Sequence, residues 1–540
     1  MSEKKIYSTH HFMFPFRWDV LNNSSKESNK YDFLKRTAIT EVDLILKNEQ
    51  KWKRKTTLSK EDFNHYTYFF KHIRNTIYDL EYHSEENTDV VRYYEYDLPK
   101  SNKCYEIKFY EKKSGIDFTT KSIDDYDEKT IRLEIRGITL HLFKTGVGVL
   151  AFNLANEDIS QSSIVSVLKI NDFGRRIYPQ FLNFNETIPY FNAQRVFHNK
   201  HIKLFDDDNF KEDWSRYNDI DFNKPILIPK FIDELFNSNQ FKQQVKVVPI
   251  VDDRMFFISW YGNNKLAPAI GSSYKNSDWW YAYIFGDKSP KSIANDEMQT
   301  IHLIDHTYQR WSNYGTLYGM SRDSFVCLSN EEDDMIKNDL PNLRVHNDTI
   351  YYQIAILCLV QRATVLKFSS EVALLNSLTN NTEKNKISDK ELTIKINMLY
   401  SNYIEFRNKI YFREITSQIQ GIEIYQKFQQ LMNLKEEVED LDAEIEELHR
   451  YANHLLQQKQ SEESHTLTVL ASFYLPFTLI FGILGANFYS DNIPICGDID
   501  LNAITWLIIA VVIGIIFFIL PIVFLKSFKK LYDYLISKFN

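Results

Sequence analysis

The chain has 540 residues, with 64 Lys and Arg against 72 Asp and Glu, for a formal net charge of −8. Mild acidity without clustered positive charge excludes a strongly basic nucleic-acid binder, whose affinity rests on counterion release. Hydrophobic residues make up 44%, enough for packed cores and against general disorder, while only 15 glycines leave little room for repeated phosphate-cradling loops.

The opening Met1–Lys5 and Ile6–Phe16 place polar residues and two histidines where a signal peptide needs an unbroken apolar run, so export is not expected. Residues 1–340 read as one ligand-sensing α/β (α+β) domain with a largely antiparallel sheet. Strand-like alternation runs through Asp89–Tyr96, Cys104–Tyr110, Arg132–Leu142, Gly146–Asn153, Val245–Trp260 and Trp279–Phe285. Helical stretches are Asp62–Tyr78, Ile159–Ile170 and Pro229–Asn237. The cysteines at 104, 327, 358 and 496 have neither metal-finger nor redox spacing. No Walker motif, paired-His metal motif or nucleophile elbow occurs, and Gly146-Val147-Gly148 lacks the third glycine of a dinucleotide fingerprint. An enzyme is therefore not expected, and His10-His11 reads as a surface pair.

Several residues in this domain suit a small nucleotide-like ligand. Arg175 and Arg176, beside Gly174 after a helical stretch, offer guanidinium forks for phosphate. Asp252 and Asp253, before Arg254, suit an amine or sulfonium cation. Trp260 and Tyr314 offer ring faces for an adenine. Taken singly, each also reads as a surface salt bridge or as core packing.

Residues 341–420 continue with helical periodicity in Thr349–Leu378 and Ser388–Gln420. Within the first, Thr349–Lys367 is apolar enough to suggest a membrane span, but Gln353, Gln361, Arg362 and Lys367 argue for packing on protein. Residues 421–465 read as a stalk within one continuous helix from about Ile422 to Asn487, on the order of 100 Å long. Leu434, Val438, Leu441, Ile445, Leu448, Ala452 and Leu455 follow the 4-3 spacing of a coiled-coil seam. Eight acids crowd Glu436–Glu447; they read as a solvated helix face or as a cation reservoir.

Two uncharged stretches follow, residues 466–489 and 502–525, each long enough to cross a hydrocarbon core. The acidic loop between them, residues 490–501, and the basic tail, 526–540, put both termini in the cytoplasm by the positive-inside rule. Along the first span, Ser464, Thr468, Ala471, Leu475, Thr478, Gly482 and Ala486 form one mostly small or hydroxylic stripe. Such a stripe suits close helix packing or the wall of a water-filled path.

The segment Leu475-Pro476-Phe477-Thr478-Leu479-Ile480-Phe481-Gly482, followed by Gly485-Ala486-Asn487, resembles the CorA magnesium-transporter superfamily, whose first span ends in Gly-Met-Asn. Here Ala486 replaces the Met. The resemblance covers the stalk and membrane part and is not evident in the N-terminal two thirds. It implies a homopentameric funnel in a bilayer, conducting Mg2+ or another divalent cation. Asn487 would form the outer ring, Gly482, Thr478 and Leu475 the pore wall below it, and Leu467 an inner constriction, with Gly485 also among the pore residues. With the altered tripeptide, the large N-terminal domain and His10–Trp18, the chain looks like the CorA-like proteins of type III CRISPR systems. That branch implies a bacterial inner-membrane channel gated by an adenosylmethionine–AMP second messenger, with no direct nucleic-acid contact. A constitutive or magnesium-inhibited cation transporter is the alternative; a membrane-anchored scaffold is a third.

Overall fold

The computed structural model describes residues 4–20, 39–47, 51–80, 90–113, 126–178, 199–214, 228–236, 245–250, 254–339, 342–379 and 388–487. The second expected span, the acidic loop, the basic tail, Asp252 and Asp253 lie outside them. The chain divides into two units, Met1–His449 and Arg450–Asn540.

The first unit is built on one mixed 13-stranded sheet. In chain order its strands are β1 (Ser8–Val20), β2 (Trp52–Arg54), β3 (Val91–Tyr96), β4 (Cys104–Lys112), β5 (Tyr126–Phe143), β6 (Val147–Asn156) and β7 (Asn199–Leu204). They continue with β8 (Lys211–Glu212), β9 (Val245–Pro249), β10 (Phe256–Gly262), β11 (Thr307–Tyr308), β12 (Leu317–Ser321) and β13 (Ser324–Ser329). The main path runs β11-β12-β13-β10-β1-β6-β5-β4-β7-β8, with β2 on β3, β3 on β5, and β9 on β1. Among the described residues only β10 and β13 pair parallel; the other strand pairs are antiparallel, as the alternation predicts.

Alternation in β1 decides which face it buries. Phe12, Phe14, Phe16 and Trp18 enter the main core, so Thr9, His11 and Met13 lie on the opposite face. Pro15 sits inside this central strand without breaking it. On one side β1 pairs β10 only through Met13, then β9 from Phe16 onward, so the missing N–H falls in the gap between two partners. The β5–β6 hairpin turns at Gly146, whose φ of 81° is cheap only for glycine, and Gly146 N–H donates to Phe143 O.

Several expected elements change. Trp279–Phe285 is not a strand but part of the helix Asp278–Phe285. The Ser277 side chain caps its first turn and Gly286, at φ 69°, closes it. An apolar run buried on most sides carries no usable period, so the caps decide. Val245–Trp260 is two strands, β9 and β10. Asp62–Tyr78 is two helices, Lys60–Tyr66 and Lys71–Ile77, the first set by a Ser59/Asp62 capping box. The helix expected over Ile159–Ile170 begins at Ile164 behind a Ser163 cap and reaches Gly174. Pro229–Asn237 holds one short helix, Lys230–Asp233, and a 3-10 turn. The helix begun at Ser388 stops at Lys409.

The helical run Leu343–Ser377, which takes in most of helix Tyr352–Thr379, is long and apolar enough to cross a membrane, yet its apolar stretch is mostly buried in protein. It packs on the sheet face that carries His11, and Gln361 ties it to Ile410 O and to the Tyr425 hydroxyl. A π-helical turn, Asn347–Tyr351, leads into it. Beyond it the continuous rod expected from Ile422 is interrupted. Helix Ile419–Leu431 ends, Asn433 adopts φ 54°, and a new helix runs Leu434–Asn487. Asparagine tolerates the left-handed region that most residues avoid, so a two-residue break costs little here. In the new helix Leu434, Val438, Leu441, Ile445, Leu448 and Ala452 are buried, as the heptad seam requires.

Candidate ligand cleft and pore-lining helix

Residues from distant parts of the first unit converge on a cleft of about 720 Å³. One wall comes from Lys4–Ile6, Thr9 and His11 of β1, and the Asn153 end of β6, with Glu134 and Arg136 of β5. The other comes from the short helix Glu332–Lys337, from Arg344 just ahead of the π-helical turn and from Asp348 within it. The volume lies within the usual range for small-molecule sites.

The floor is a network around Asp348. Its Oδ1 accepts from Thr9 Oγ1 at 2.9 Å and meets His11 Nε2 at 2.8 Å, while His11 Nδ1 lies 2.9 Å from Asn153 Oδ1. Arg344 holds Glu332 with two parallel bonds of 2.9 and 2.8 Å and reaches Asp348 at 3.4 Å. Burial alone would raise the Asp348 carboxyl; the charges of His11 and Arg344 and the bonds from His11 and Thr9 overcome it and hold the pKa below its ordinary value. Glu332 is likewise lowered: burial opposes the shift, but Arg344 and Asn342 prevail. Burial also opposes the rise at Arg344, and its two carboxylate partners outweigh it.

At the entrance Lys5 donates to Glu331 at 2.6 Å and its pKa rises, chiefly through that bond. Arg136 pairs with Glu157, and Lys4 lies 3.3 Å from the same carboxylate. The Glu134 carboxyl is raised, first by its hydrogen bond to Glu157 and then by burial. Arginine forks and lysines against carboxylates can exchange their partners for those of a ligand bearing both charges.

The sequence-derived ligand residues do not form this site. Arg175 is buried, 4.8 Å over the Phe257 ring, and donates to Phe285 O and Gly286 O, at the end of the helix those residues close. Burial, with nearby Arg254 adding to it, draws its pKa down to about 10. Arg176 pairs with Asp172 at 2.8 Å. Trp260 is buried and its Nε1 donates to Ser329 Oγ. Tyr314 is 72% exposed beside Trp311, outside the cleft. His10 and His11 correct the surface expectation: both are buried, on opposite faces of β1. His10 Nδ1 lies 2.7 Å from Asn171 Oδ1, and desolvation brings its pKa down to about 3, which keeps the ring neutral. His11, Asp348, Arg344 and Glu332 were missed. A strand period at β1 gave the signal for His11, since adjacent residues of an interior strand are both buried.

The second candidate region is the distal part of helix Leu434–Asn487. Ser464, Thr468, Ala471, Leu475 and Thr478 of the small-residue stripe are all exposed in the single chain, as is Leu467. The Thr468 and Thr478 hydroxyls donate back to Ser464 O and Tyr474 O, so each donor is satisfied within the helix and the oxygen retains acceptor capacity. Gly482, Gly485 and Asn487 continue the same helix, Asn487 as its last residue.

Residues 378–527 match the family model described as CorA-like Mg2+ transporter protein. No curated protein and no solved structure matches the chain.

Proposed function

We propose, on the match of residues 378–527 to the CorA-like family model, that this chain is a homopentameric bacterial inner-membrane channel gated by a small ligand. In this reading the ligand is a nucleotide second messenger of the adenosylmethionine–AMP type, and opening alters membrane permeability in type III CRISPR antiviral defence. The observation that carries it is a CorA-like membrane part joined to a 13-stranded domain that holds a ligand-sized polar cleft. Asn487 forms the outer ring, Gly482, Thr478 and Leu475 the wall below it, and Leu467 the inner constriction, with Gly485 also among the pore residues. Both termini face the cytoplasm, and no enzymatic step is involved.

Gating requires the ligand to bind the open arrangement better than the closed one. Inverting a 1:99 population takes about 5.5 kcal/mol of difference, which five equivalent sites can share. The route runs from Asp348 through the π-helical turn into Tyr352–Thr379, then by Gln361 and Tyr425 to helix Ile419–Leu431. The second reading is a divalent-cation transporter of the CorA type that needs no nucleotide; the match of residues 378–527 is compatible with both.

Full-length protein in liposomes loaded with a magnesium indicator separates the two. The channel reading expects flux that rises on adding the adenosylmethionine–AMP conjugate and that Asn487→Ala changes. Flux that is indifferent to the conjugate gives the transporter; a sealed bilayer under every condition leaves only a scaffold.

A further inference from the structure

We infer that the cleft receives the α-amino-acid end of its ligand, with Arg344 taking the carboxylate and Glu332 the ammonium group. The inference rests on the ligand-gated reading and assigns the chemistry of its site. Three observations carry it. Among the described residues no Phe, Tyr or Trp lines the cleft, and the His11 ring on its floor is held in place by Asp348 and Asn153, so base stacking is not what this wall provides. Four basic side chains face five carboxylates, a balance that repels a polyanion such as a triphosphate but suits a group carrying one charge of each sign. The Arg344–Glu332 pair is held by two bonds under 3 Å at a partly open position, the geometry in which a planar carboxylate replaces another on a guanidinium fork.

Binding is then an exchange. The ligand carboxylate displaces Glu332 from Arg344, and the freed Glu332 accepts the ligand ammonium, so two ion pairs with the ligand replace those of Arg344 with Glu332 and Asp348, and no charge is left alone. Lys5, bridging Glu331 and Asp333 at the entrance, supports the carboxylate side. Asp348 keeps its bonds to Thr9 and His11 but loses the longer contact to Arg344, which places the change at the π-helical turn.

Calorimetry on the full chain in detergent tests this with three probes: adenosylmethionine, its decarboxylated form, and AMP. The decarboxylated probe keeps the sulfonium and an amine but lacks the carboxylate. Adenosylmethionine is expected to bind at least tenfold tighter than either of the others. In Arg344→Ala the two sulfonium probes are expected to bind alike, a loss of discrimination that a merely structural role would not produce. Lys5→Ala, at an exposed position, is expected to narrow the same gap should Arg344→Ala fail to fold. Equal affinity for the two sulfonium probes in the parent, a preference for AMP, or no binding of any probe overturns the inference. Discrimination kept in a folded Arg344→Ala, or an unaltered gap in Lys5→Ala, does the same. Probe binding without ligand-dependent flux in liposomes defeats the channel reading and leaves this assignment standing.

Discussion

The two units treat their apolar and hydroxylic side chains in opposite ways. In Met1–His449 the large apolar residues of the sheet and of helix Tyr352–Thr379 are buried, and even the polar ones around Asp348 are paired. Along the helix beyond Arg450, Leu467 is 69% and Leu475 66% exposed, beside unburied threonines. The sheet and helix Tyr352–Thr379 cover each other's apolar faces within one chain. A helix that leaves leucines and a small-residue stripe uncovered is built for an apolar medium or for copies of itself. The packed sheet of the first unit and the uncovered helix of the second therefore make different demands of the same substitution.

Substitutions sharpen that contrast. Leu441→Ala, in the buried seam, is expected to cost about 2–5 kcal/mol in chemical denaturation. An unchanged midpoint would mean that the seam is not packed.

Acid should act on the first unit next. His10 and His141 are buried with pKa values lowered to about 3 by desolvation. His141 has no hydrogen-bond partner for either ring nitrogen among the described residues. Because the unfolded chain binds these protons and the folded chain does not, stability is complete above about pH 6.5 and falls as the pH drops toward 3. Each histidine contributes a slope of about 1.4 kcal/mol per pH unit in that window. His141→Leu is expected to remove one proton's worth of slope from the denaturation midpoint plotted against pH; an unaltered slope would show the ring to be hydrated or paired.

The break before the long helix gives a smaller effect. Asn433→Ala is expected to cost about 1 kcal/mol and Asn433→Gly close to nothing, since only the left-handed backbone is at stake. Equal losses would point to the asparagine side chain instead. Leu467→Ala in detergent is expected to stay within about 0.5 kcal/mol, the value for an uncovered position. A large loss there would mean the side chain is packed in the assembled protein.

Much of this was legible from residues. Alternation located β3 to β6, and the heptad spacing placed Leu434–Ala452 on a buried seam. The Pro476–Asn487 pattern pointed to the family that residues 378–527 match. The apolar helix at 352–379 was read as protein-packed from four polar residues, and burial agrees. Other features were hidden for physical reasons. Trp279–Phe285 is apolar on most sides and has no period to read. Asn433 ends a helix through one dihedral angle. The cleft was out of reach because Asp348 meets His11 across 337 residues of sequence. Arg175 and Arg176 drew attention as charges, yet their partners are a helix end and Asp172 within the core.

Magnesium flux through liposomes holding the full chain, recorded before and after addition of the adenosylmethionine–AMP conjugate, tests the link between the two units most directly. A ligand-triggered rise in the parent that Arg344→Ala abolishes, with that variant still folded, is the predicted result. Flux of equal size with and without the conjugate, in both proteins, would contradict it.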